Sequence, residues 1–366
     1  MNGAERILII LDECGPGDAA RIGFCLSAVR EAHPRAHIVL MVAELAAPVV
    51  ERTLLVDEVV VSRLYGPGRR SRVGKSLELF RLMRRLAPRY DLVLTFWWGS
   101  SALNLLAWAL GRRRVGYSNR LPRLLTTDLG RYDPFGDPVQ QNLAILSAAG
   151  IHGAVLASPD PVHDALDVDS VHDLLDRVGL PRTQPLVILH AGSDWACQQW
   201  LPERWAEMAD SLSDRYRVNL VFSGVAEDSA YIEDVRKRMR SPSVSLAGQT
   251  TVSQLGALVA EARLCICVDT MVYELAQAAG TSTVVLAGPT RPHPGLAGRR
   301  PPLVVNRTGP ELRLTILTCQ QQYPEGVCHR YECPMSGLRQ ISVDDVLAEI
   351  EAGGVLSGAE VSGVHP

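Results

Sequence analysis

Short apolar runs of strand length alternate with longer amphipathic segments through most of the chain. Short apolar runs favour buried strands, whereas apolar positions that recur every three or four residues indicate helices. In the first half, this pattern predicts strands at 6–11, 36–42, 58–61, 92–96 and 114–117, and helices at 19–32, 43–52, 75–86, 101–110 and 137–149. The first half ends with a predicted helix at 170–178. In the second half, the pattern predicts strands at 186–190, 219–223, 243–246, 264–268 and 282–287, and helices at 202–213, 230–239, 252–262, from 271 onward and 343–352. Such alternation is typical of an α/β fold with parallel sheets.

The α/β pattern stops at one proline-bounded segment and then starts again. Pro181-Arg-Thr-Gln-Pro185 carries turn residues and separates the two series of elements. A chain of 366 residues is also longer than a single hydrophobic core usually supports. We therefore predict two doubly wound domains, 1–180 and 181–352, followed by a Gly-, Ser- and Val-containing tail at 353–366 that is expected to be disordered.

The transition from strand to helix near residue 269 predicts an anion-binding site. The apolar run 264–268 leads directly into Asp269-Thr270, and a helical pattern begins at Met271. The N-terminus of a helix presents backbone N–H groups and the positive end of its dipole, which suits a diphosphate. A second strand, 282–287, ends at Gly288-Pro-Thr290. Ligands of open α/β sheets bind beside such strand ends.

Composition excludes several classes of partner. The chain is 47% apolar and 21% charged with a formal net charge of −3, so bulk charge attracts neither nucleic acid nor an acidic surface. Its sequence shows no signal peptide and no apolar run long enough to span a membrane, and we expect a cytoplasmic protein. Cys319, Cys328, Cys333 and His329 lack the spacing of a zinc site, so free thiols, a local disulfide and structural zinc remain open, and no metal site is predicted.

A series of short motifs follows these elements along residues 5–350. The motifs are Ile7-Leu-Ile-Ile with Gly17-Asp18, Pro34-Arg-Ala-His-Ile38, Arg114-Val-Gly-Tyr117, His190-Ala-Gly-Ser193, Gln198-Gln-Trp-Leu-Pro-Glu-Arg-Trp205, Ser223-Gly-Val-Ala-Glu227, Leu246-Ala-Gly248, Val268-Asp-Thr270 and Ala287-Gly-Pro-Thr290. In this order they resemble the motifs of glycosyltransferase family 9, the ADP-heptose:lipopolysaccharide heptosyltransferase group. The resemblance implies a GT-B fold, which is α/β with two doubly wound Rossmann-like domains facing a central cleft. The first domain would bind the acceptor and the second the nucleotide sugar.

The resemblance also implies the reaction. It is an inverting, metal-independent transfer of a sugar, a heptose by family default, from a nucleoside-diphosphate donor to a hydroxyl of a glycan or a glycosylated metabolite. The donor is a co-substrate, with an ADP-sugar favoured, and no cofactor is required. Asp18 matches the general base that takes the proton of the acceptor hydroxyl. Asp18 also suits an N-cap of the helix 19–32, and Glu13 is a weaker candidate for the base.

The donor-binding residues implied by the resemblance lie in the second half. They are Ser193, Gln198, Glu227, Thr250, Asp269, Thr270, Met271, Glu274 and Thr290. Ser193 and Gln198 would contact phosphate. Asp269 and Thr270 would cap the helix whose N–H groups hold phosphate, although capping alone also explains these two residues. Glu227, or Glu274 instead, would bind the ribose diol, and the segment at Thr250 would contact the base through its backbone.

Three positions depart from the family pattern. Met271 replaces a glycine, Glu274 replaces a histidine, and Gln198 replaces a lysine and is followed by one extra residue, Leu201. The cation expected to neutralise the leaving diphosphate is therefore absent from its usual place, with Arg291 or Arg204 as alternative sources of charge. These departures leave the sugar and the base of the donor open.

The acceptor side has fewer signals. Gly17, Trp98 and Arg120 are the candidate acceptor-binding residues, and the arginine-rich segment 66–72 is compatible with an anionic acceptor, peripheral membrane contact or a solvated surface. Two alternatives to glycosyl transfer remain, a sugar-nucleotide epimerase of GT-B fold and a non-catalytic nucleotide-binding or partner protein. The scarcity of histidines in the second half argues against the epimerase.

Overall fold

The protein consists of two compact units, Met1–Val162 and His163–Pro366. The computed structural model describes residues 6–12, 15–64, 72–96, 101–117, 126–130, 138–152, 162–180, 183–193, 198–288, 292, 300–307 and 337–359. Within these residues each unit contains one six-stranded sheet whose neighbouring strands are all parallel. The predicted α/β class with two doubly wound sheets is confirmed.

The sheet of the first unit has the order β3-β2-β1-β4-β5-β6. Its strands are β1 (Arg6–Leu11), β2 (His37–Ala43), β3 (Glu58–Ser62), β4 (Tyr90–Thr95), β5 (Gly111–Tyr117) and β6 (Asp128–Gly130). The helices of this unit are α1 (Pro16–Arg21), α2 (Gly23–Ala32), α3 (Ala47–Val50), α4 (Arg72–Arg85), α5 (Ser101–Leu110) and α6 (Pro138–Ala149). Strand β1 is central because its run of isoleucine and leucine buries both faces, as parallel strands covered by helices require.

The sheet of the second unit has the order β12-β11-β10-β7-β8-β9. Its strands are β7 (Leu186–His190), β8 (Asn219–Ser223), β9 (Val244–Ser245), β10 (Leu264–Val268), β11 (Thr283–Leu286) and β12 (Leu303–Val305). The α-helices are α7 (Ala165–Arg177), α8 (Pro202–Arg215), α9 (Ser229–Arg238), α10 (Val252–Ala260), α11 (Met271–Ala279) and α12 (Val343–Ala352), with short 3-10 helices at Ala226–Asp228 and Gly337–Gln340. The chain runs outward from β7 to one side and returns to β10 on the other, so the strand order reverses between β7 and β10. Ligands of doubly wound sheets bind at such a reversal.

The first helix begins earlier than its hydrophobic pattern predicts. We expected one helix over 19–32, but α1 starts at Pro16 and α2 follows after a break at Ile22. Proline suits the first turn of a helix, since its fixed φ is helical and its missing N–H has no helical partner there. Strands β6 and β12, which are three residues each, are too short to give a periodic signal.

Helix α7 packs with the second unit, although the predicted domain boundary lies after residue 180. The Oγ atom of Ser253 on α10 donates to the Oδ1 atom of Asp167 at 3.0 Å. The Nε2 atom of His172 lies 3.5 Å from the Oε2 atom of Glu261 just beyond α10. Because α7 packs with the second unit, the boundary between the two compact units falls after residue 162.

Part of the C-terminal segment packs against the second core. Val355 and Leu356 are buried in the apolar cluster that also contains residues of α8 and α12. The backbone N–H of Arg217 donates to the carbonyl of Ala359 at 2.7 Å. Residues 360–366 of the tail lie outside the described part of the chain.

Candidate functional site

A chain of hydrogen bonds connects the carboxyl ends of β7 and β10. The Oγ atom of Ser193 donates to the Oε1 atom of Gln198 at 2.9 Å, and the Nε2 atom of Gln198 donates to the carbonyl of Asp269 at 3.2 Å. Gln198 is only 5% exposed, so its amide is fixed by these partners rather than by water. The structure thus brings together three of the predicted donor-binding residues where the strand order reverses.

The N-terminus of α11 follows β10 at the same edge of the sheet. Thr270 is the N-cap residue, but its side chain makes no capping hydrogen bond to the helix. Its hydroxyl instead donates to the carbonyl of Val268, at 3.4 Å. The Thr270 side chain therefore caps none of the first-turn N–H groups, although the Tyr273 N–H donates to the Thr270 carbonyl at 3.1 Å. The N-terminal end of a helix dipole favours an anion.

The two residues that replace family glycine and histidine occupy the first turn of α11. Met271 is the first helical residue and is partly exposed, whereas Glu274 is 5% exposed. The negative charges of Glu274 and Asp269 act on the thiol of Cys267. A hydrogen bond with Cys265, burial and these nearby charges all raise the pKa of Cys267 well above its ordinary value. The thiol is therefore protonated and has no nucleophilic role at neutral pH.

A half-buried carboxylate that sequence analysis missed, that of Asp228, lies between the ends of β7 and β8. The Oδ2 atom of Asp228 accepts the backbone N–H of Val225 at 3.0 Å. A Cβ atom added to Gly192 would lie 2.1 Å from that oxygen, and one added to Gly224 would lie 2.8 Å from it. A side chain at either strand end would therefore force the Asp228 carboxylate to move. Two glycines that follow neighbouring strands are the signal that could have indicated such an approach.

The predicted ribose ligand Glu227 lies beside this carboxylate on the 3-10 helix after β8. Its side chain is exposed, and no hydrogen bond or ion pair ties its carboxylate to another residue of the described part. The backbone N–H of Gly248 donates to the carbonyl of Gly224 at 2.9 Å. Gly248 has φ +70°, and an added Cβ would lie 3.0 Å from the Cα atom of Ala226. The turn that leads to Thr250 therefore packs closely against the helix that carries Glu227.

His190, the last residue of β7, is an uncharged imidazole. Its Nδ1 atom lies 2.9 Å from the hydroxyl of Ser223 at the end of β8. Burial lowers the pKa of His190 to about 4. At neutral pH this side chain adds no positive charge to the edge of the sheet.

Arg204, one candidate for the missing cation, serves the packing of the second unit. Its guanidinium donates to the carbonyl of Arg339 at 2.6 Å and also to that of Ile341. The indole of Trp200 donates to the same Ile341 carbonyl at 3.0 Å. These contacts hold the segment before α12 against the start of α8, so Arg204 is a structural residue.

In the first unit, the predicted base Asp18 lies in α1 next to Gly17. Its Oδ2 atom accepts the backbone N–H of Gly15 at 3.1 Å, and its Oδ1 atom accepts Nη1 of Arg21 at 3.2 Å. Asp18 thus stabilises the start of α1 from inside the helix. The N-cap is Gly15, so the alternative that Asp18 is an N-cap is wrong. Its side chain is 37% exposed, so the carboxylate is also accessible. Sequence analysis missed the neighbouring Asp12, which is buried and accepts the Ser62 hydroxyl at 2.6 Å.

Several predicted residues lie outside the described part of the chain. These are Thr290, Trp98, Arg120, Glu13, Arg291, Cys319, Cys328, His329 and Cys333. Among the described residues, no group of three or more His, Cys, Asp or Glu is placed to hold a metal ion. None of the described helices has both the length and the apolar character needed to cross a bilayer.

The approach of Asp228 to Gly192 predicts a strong coupling between these two positions. Gly192→Ala should lower the free energy of unfolding by about 1–3 kcal/mol, because the added methyl overlaps the carboxylate. In an Asp228→Ala background, Gly192→Ala should lower the free energy of unfolding by clearly less. Urea unfolding of the two single variants and the double variant measures the difference. Equal costs in both backgrounds would show that the carboxylate does not fill this space.

The buried His190 predicts a specific pH dependence of stability. Its pKa is about 4 in the folded protein and near 6.5 when unfolded, so the unfolded state binds the extra proton between these values. The free energy of unfolding should therefore fall as the pH drops from 6.5 to 4, by about 3 kcal/mol from this group. Below pH 4 both states are protonated and this loss stops.

Urea unfolding between pH 4.5 and pH 7.5 should show a weaker pH dependence for His190→Asn than for the wild type. The lowered pKa of the partly buried His33 affects both proteins equally and cancels in this comparison. If the variant does not fold, the wild-type ring can be followed by NMR and should remain neutral at pH 5.5. A ring that titrates near pH 6.5 would contradict the assignment.

Comparison with known proteins identifies the family. Residues 79–309 match the sequence model of glycosyltransferase family 9 (heptosyltransferase). Lipopolysaccharide heptosyltransferase 3 of Escherichia coli is 25% identical over 274 residues, which cover 72% of this chain and 78% of that protein. The crystal structure of the family 9 glycosyl transferase from Veillonella parvula DSM 2008 aligns with a TM-score of 0.76 at 20% identity, over 96% of this chain and 97% of that one.

Two further structures have the same fold at lower similarity. E. coli ADP-heptose LPS heptosyltransferase II gives a TM-score of 0.68 at 20% identity over 96% of this chain and 98% of that one. TibC of enterotoxigenic E. coli H10407, described as an iron-containing dodecameric glycosyltransferase, gives 0.51 at 11% identity over 96% of this chain and 76% of that one. Because the family match spans more than half of its residues, the chain belongs to glycosyltransferase family 9 and is a glycosyltransferase.

Proposed function

We propose that this chain transfers a sugar from a nucleoside-diphosphate donor to a hydroxyl of a glycan or glycosylated metabolite. The transfer inverts the anomeric carbon, needs no metal ion and takes place in the cytoplasm. The observation that carries the proposal is the hydrogen-bonded series Ser193–Gln198–Asp269 beside the N-terminus of α11. This arrangement offers fixed donors to a diphosphate at the reversal of strand order.

The donor we favour is an ADP-sugar, with heptose as the sugar. One of the solved relatives is named for ADP-heptose, and the family is described as heptosyltransferases. The departing diphosphate gains negative charge as the bond to the anomeric carbon breaks, so donors aimed at its oxygens stabilise the transition state. The backbone N–H groups at the start of α11, those of Met271 and Val272, supply such donors.

Gln198 acts by position rather than by charge. The carbonyl of its amide accepts the Ser193 hydroxyl, and its Nε2 atom donates to the Asp269 backbone. A lysine would bring one positive charge to the leaving diphosphate, whereas the amide instead holds two phosphate-facing segments in register. The stabilisation of the leaving group then rests on the helix dipole and backbone donors.

Glu227 and the turn before α10 would bind the nucleoside. The exposed carboxylate of Glu227 has two acceptor oxygens, which suit the vicinal hydroxyls of a ribose. Thr251 caps α10 through a hydrogen bond from the Gln254 N–H at 3.2 Å, and so fixes the backbone that follows Thr250. Backbone groups of this turn would contact the base. Glu274 is buried in α11 and is less suited to the ribose than Glu227.

Asp18 would act as the general base. The proton of the acceptor hydroxyl moves to its carboxylate as the hydroxyl oxygen bonds to the anomeric carbon. The bond between that carbon and the diphosphate oxygen breaks, and the nucleoside diphosphate leaves with the electron pair. Gly17 lies beside this carboxylate, and Trp98 and Arg120 remain the other candidates for acceptor contact.

The variant Asp18→Asn tests the general base. Asparagine can still accept the Gly15 N–H but takes up no proton, so kcat should fall by about 10²–10⁴ while donor affinity stays within about twofold. The control Arg21→Gln removes the ion pair but keeps the carboxylate, and should retain far more turnover. Turnover of Asp18→Asn at the wild-type rate would contradict the assignment of the base.

Assays of the wild type in excess EDTA test metal independence, which matters because TibC is described as iron-containing. Wild-type turnover should persist in EDTA. Turnover that disappears in EDTA would contradict metal independence.

The variant Glu227→Ala tests the ribose contact. Loss of hydrogen bonds to a charged group should weaken the affinity for ADP about tenfold or more, as measured by calorimetry. The exposed position of Glu227 should leave stability unchanged. Glu203→Ala is the matched control, since Glu203 is an exposed glutamate at the start of α8. Equal affinities in the two variants would remove Glu227 from the site.

A further inference from the structure

The turns that follow β8 and β9 pack directly against each other. The backbone N–H of Gly248 donates to the carbonyl of Gly224 at 2.9 Å. A Cβ atom added to Gly248 would lie 2.9 Å from the Cβ atom of Ala226. Val225 and Gln249 each lie next to a residue of this contact. These two residues therefore come close together at the carboxyl edge of the second sheet.

Val225 presents an apolar side chain on a fixed backbone. Its N–H donates to the Oδ2 atom of Asp228 at 3.0 Å, and its carbonyl accepts the Asp228 N–H at 3.1 Å. The residue is nevertheless 56% exposed. Because both bonds fix the backbone, the exposure of this valine is a property of the turn. The turn thus places an apolar surface two residues before Glu227, the candidate ribose ligand.

The side chain of Gln249 folds back on its own turn. Its Nε2 atom donates to the carbonyl of Ser245 at 3.0 Å. Because a carbonyl oxygen only accepts, this partner assigns the orientation of the amide. The Oε1 atom makes no hydrogen bond to any of the described residues, and Gln249 is exposed. The turn therefore offers a ligand one acceptor whose position is held by the other end of the same amide.

The order of the strands matches the order of the groups in a nucleoside diphosphate. The candidate diphosphate site lies at the ends of β10 and β7, Glu227 follows β8, and Gln249 follows β9. Neighbouring strands are about 4.8 Å apart, so the end of β9 lies about 10 Å from the end of β7. A diphosphate at the reversal of strand order would therefore be followed by the ribose at Glu227 and by the base at Val225 and Gln249.

We infer that Val225 and Gln249 are the side chains that select adenine as the base of the donor. Val225 packs against one face of the base, and the Oε1 atom of Gln249 accepts a hydrogen bond from the exocyclic amino group. Adenine carries this amino donor, whereas guanine, uracil and thymine carry an oxygen acceptor at the corresponding edge. Two acceptors that face each other repel, which disfavours the oxo bases. The inference rests on the proposed function, because it concerns the nucleoside of the same donor.

Calorimetric titration of the full chain with ADP and with inosine diphosphate tests the role of Gln249. The two nucleotides share ribose and diphosphate, but inosine diphosphate carries an oxygen in place of the amino group. The wild type should bind ADP about tenfold more tightly than inosine diphosphate, and Gln249→Ala should reduce this ratio to about twofold or less. Gln184→Ala is the matched control and should keep the wild-type ratio. Gln184 is an exposed glutamine just before β7, at the opposite edge of the same sheet.

The variant Val225→Ser tests the apolar contact. Both bases lose the same contact, so the affinities for ADP and for inosine diphosphate should fall by a similar factor, about three- to tenfold. The ratio between them should stay at its wild-type value. Val304→Ser should change neither affinity, since Val304 is an exposed valine on β12, the strand at the other end of the sheet.

Unfolding midpoints of the four variants without ligand should stay close to that of the wild type, because the replaced side chains are exposed. Equal affinities of the wild type for ADP and inosine diphosphate would overturn the inference and leave the donor site in place. A preference for ADP that persists in Gln249→Ala, or full ADP affinity in Val225→Ser, would also overturn it while the proposed function stands. A wild type that binds neither nucleotide would overturn the proposed function and this inference with it.

Discussion

The hydrogen bonds of the buried Gln198 amide are the interaction on which the candidate donor site depends. The parallel sheet of the second unit brings the carboxyl ends of β7 and β10 together, but it does not by itself fix the segments that follow them. One amide accepts the Ser193 hydroxyl and donates to the Asp269 backbone, and so holds the two segments in one arrangement. A group held in this way does not need to reorganise when charge develops on a bound diphosphate. The site can therefore act by position where the family pattern uses a positive charge.

The electrostatic character of this edge of the sheet follows from the same residues. His190 is neutral because of its burial, Arg204 is committed to backbone carbonyls, and Asp228 and Glu274 add carboxylates. The field that favours an anion therefore comes from the N-terminus of α11. None of the neighbouring residues described above adds a side-chain cation to it. An anionic ligand bound here is held by oriented dipoles, whose effect is strongest where water is excluded.

Sequence analysis predicted the elements whose hydrophobic period is long and regular, including β1, β7, β10, α8 and α11. The resemblance to family 9 implied that Ser193, Gln198 and Asp269 belong to one donor site, and the structure places these three residues close together. It missed Asp228, because the close approach of that carboxylate to Gly192 and Gly224 joins positions that are distant from one another in sequence. Thr290, Trp98 and Arg120 remain predictions.

Helix α4 shows a different limit of the hydrophobic pattern. Its leucines and phenylalanine predict a helix, but periodicity alone does not say which of two apolar faces meets the core. The structure assigns Leu82 and Leu86 to the core and leaves Leu77 and Phe80 outside. The distinction comes from where the crossover between β3 and β4 places the helix on the sheet, which is a property of topology and not of the local sequence.

The most direct test of the central claim is thermal unfolding of the purified protein with ADP, UDP, GDP and dTDP in turn. A nucleotide at about 100 times its dissociation constant should stabilise the folded state by about 2.7 kcal/mol. We predict that ADP raises the unfolding midpoint by roughly 5–11 °C, since 1 kcal/mol shifts it by about 2–4 °C for a domain of this size, and that Gln198→Ala removes most of the shift. If no nucleoside diphosphate raises the midpoint, the Gln198 arrangement does not form a donor site and the account is wrong.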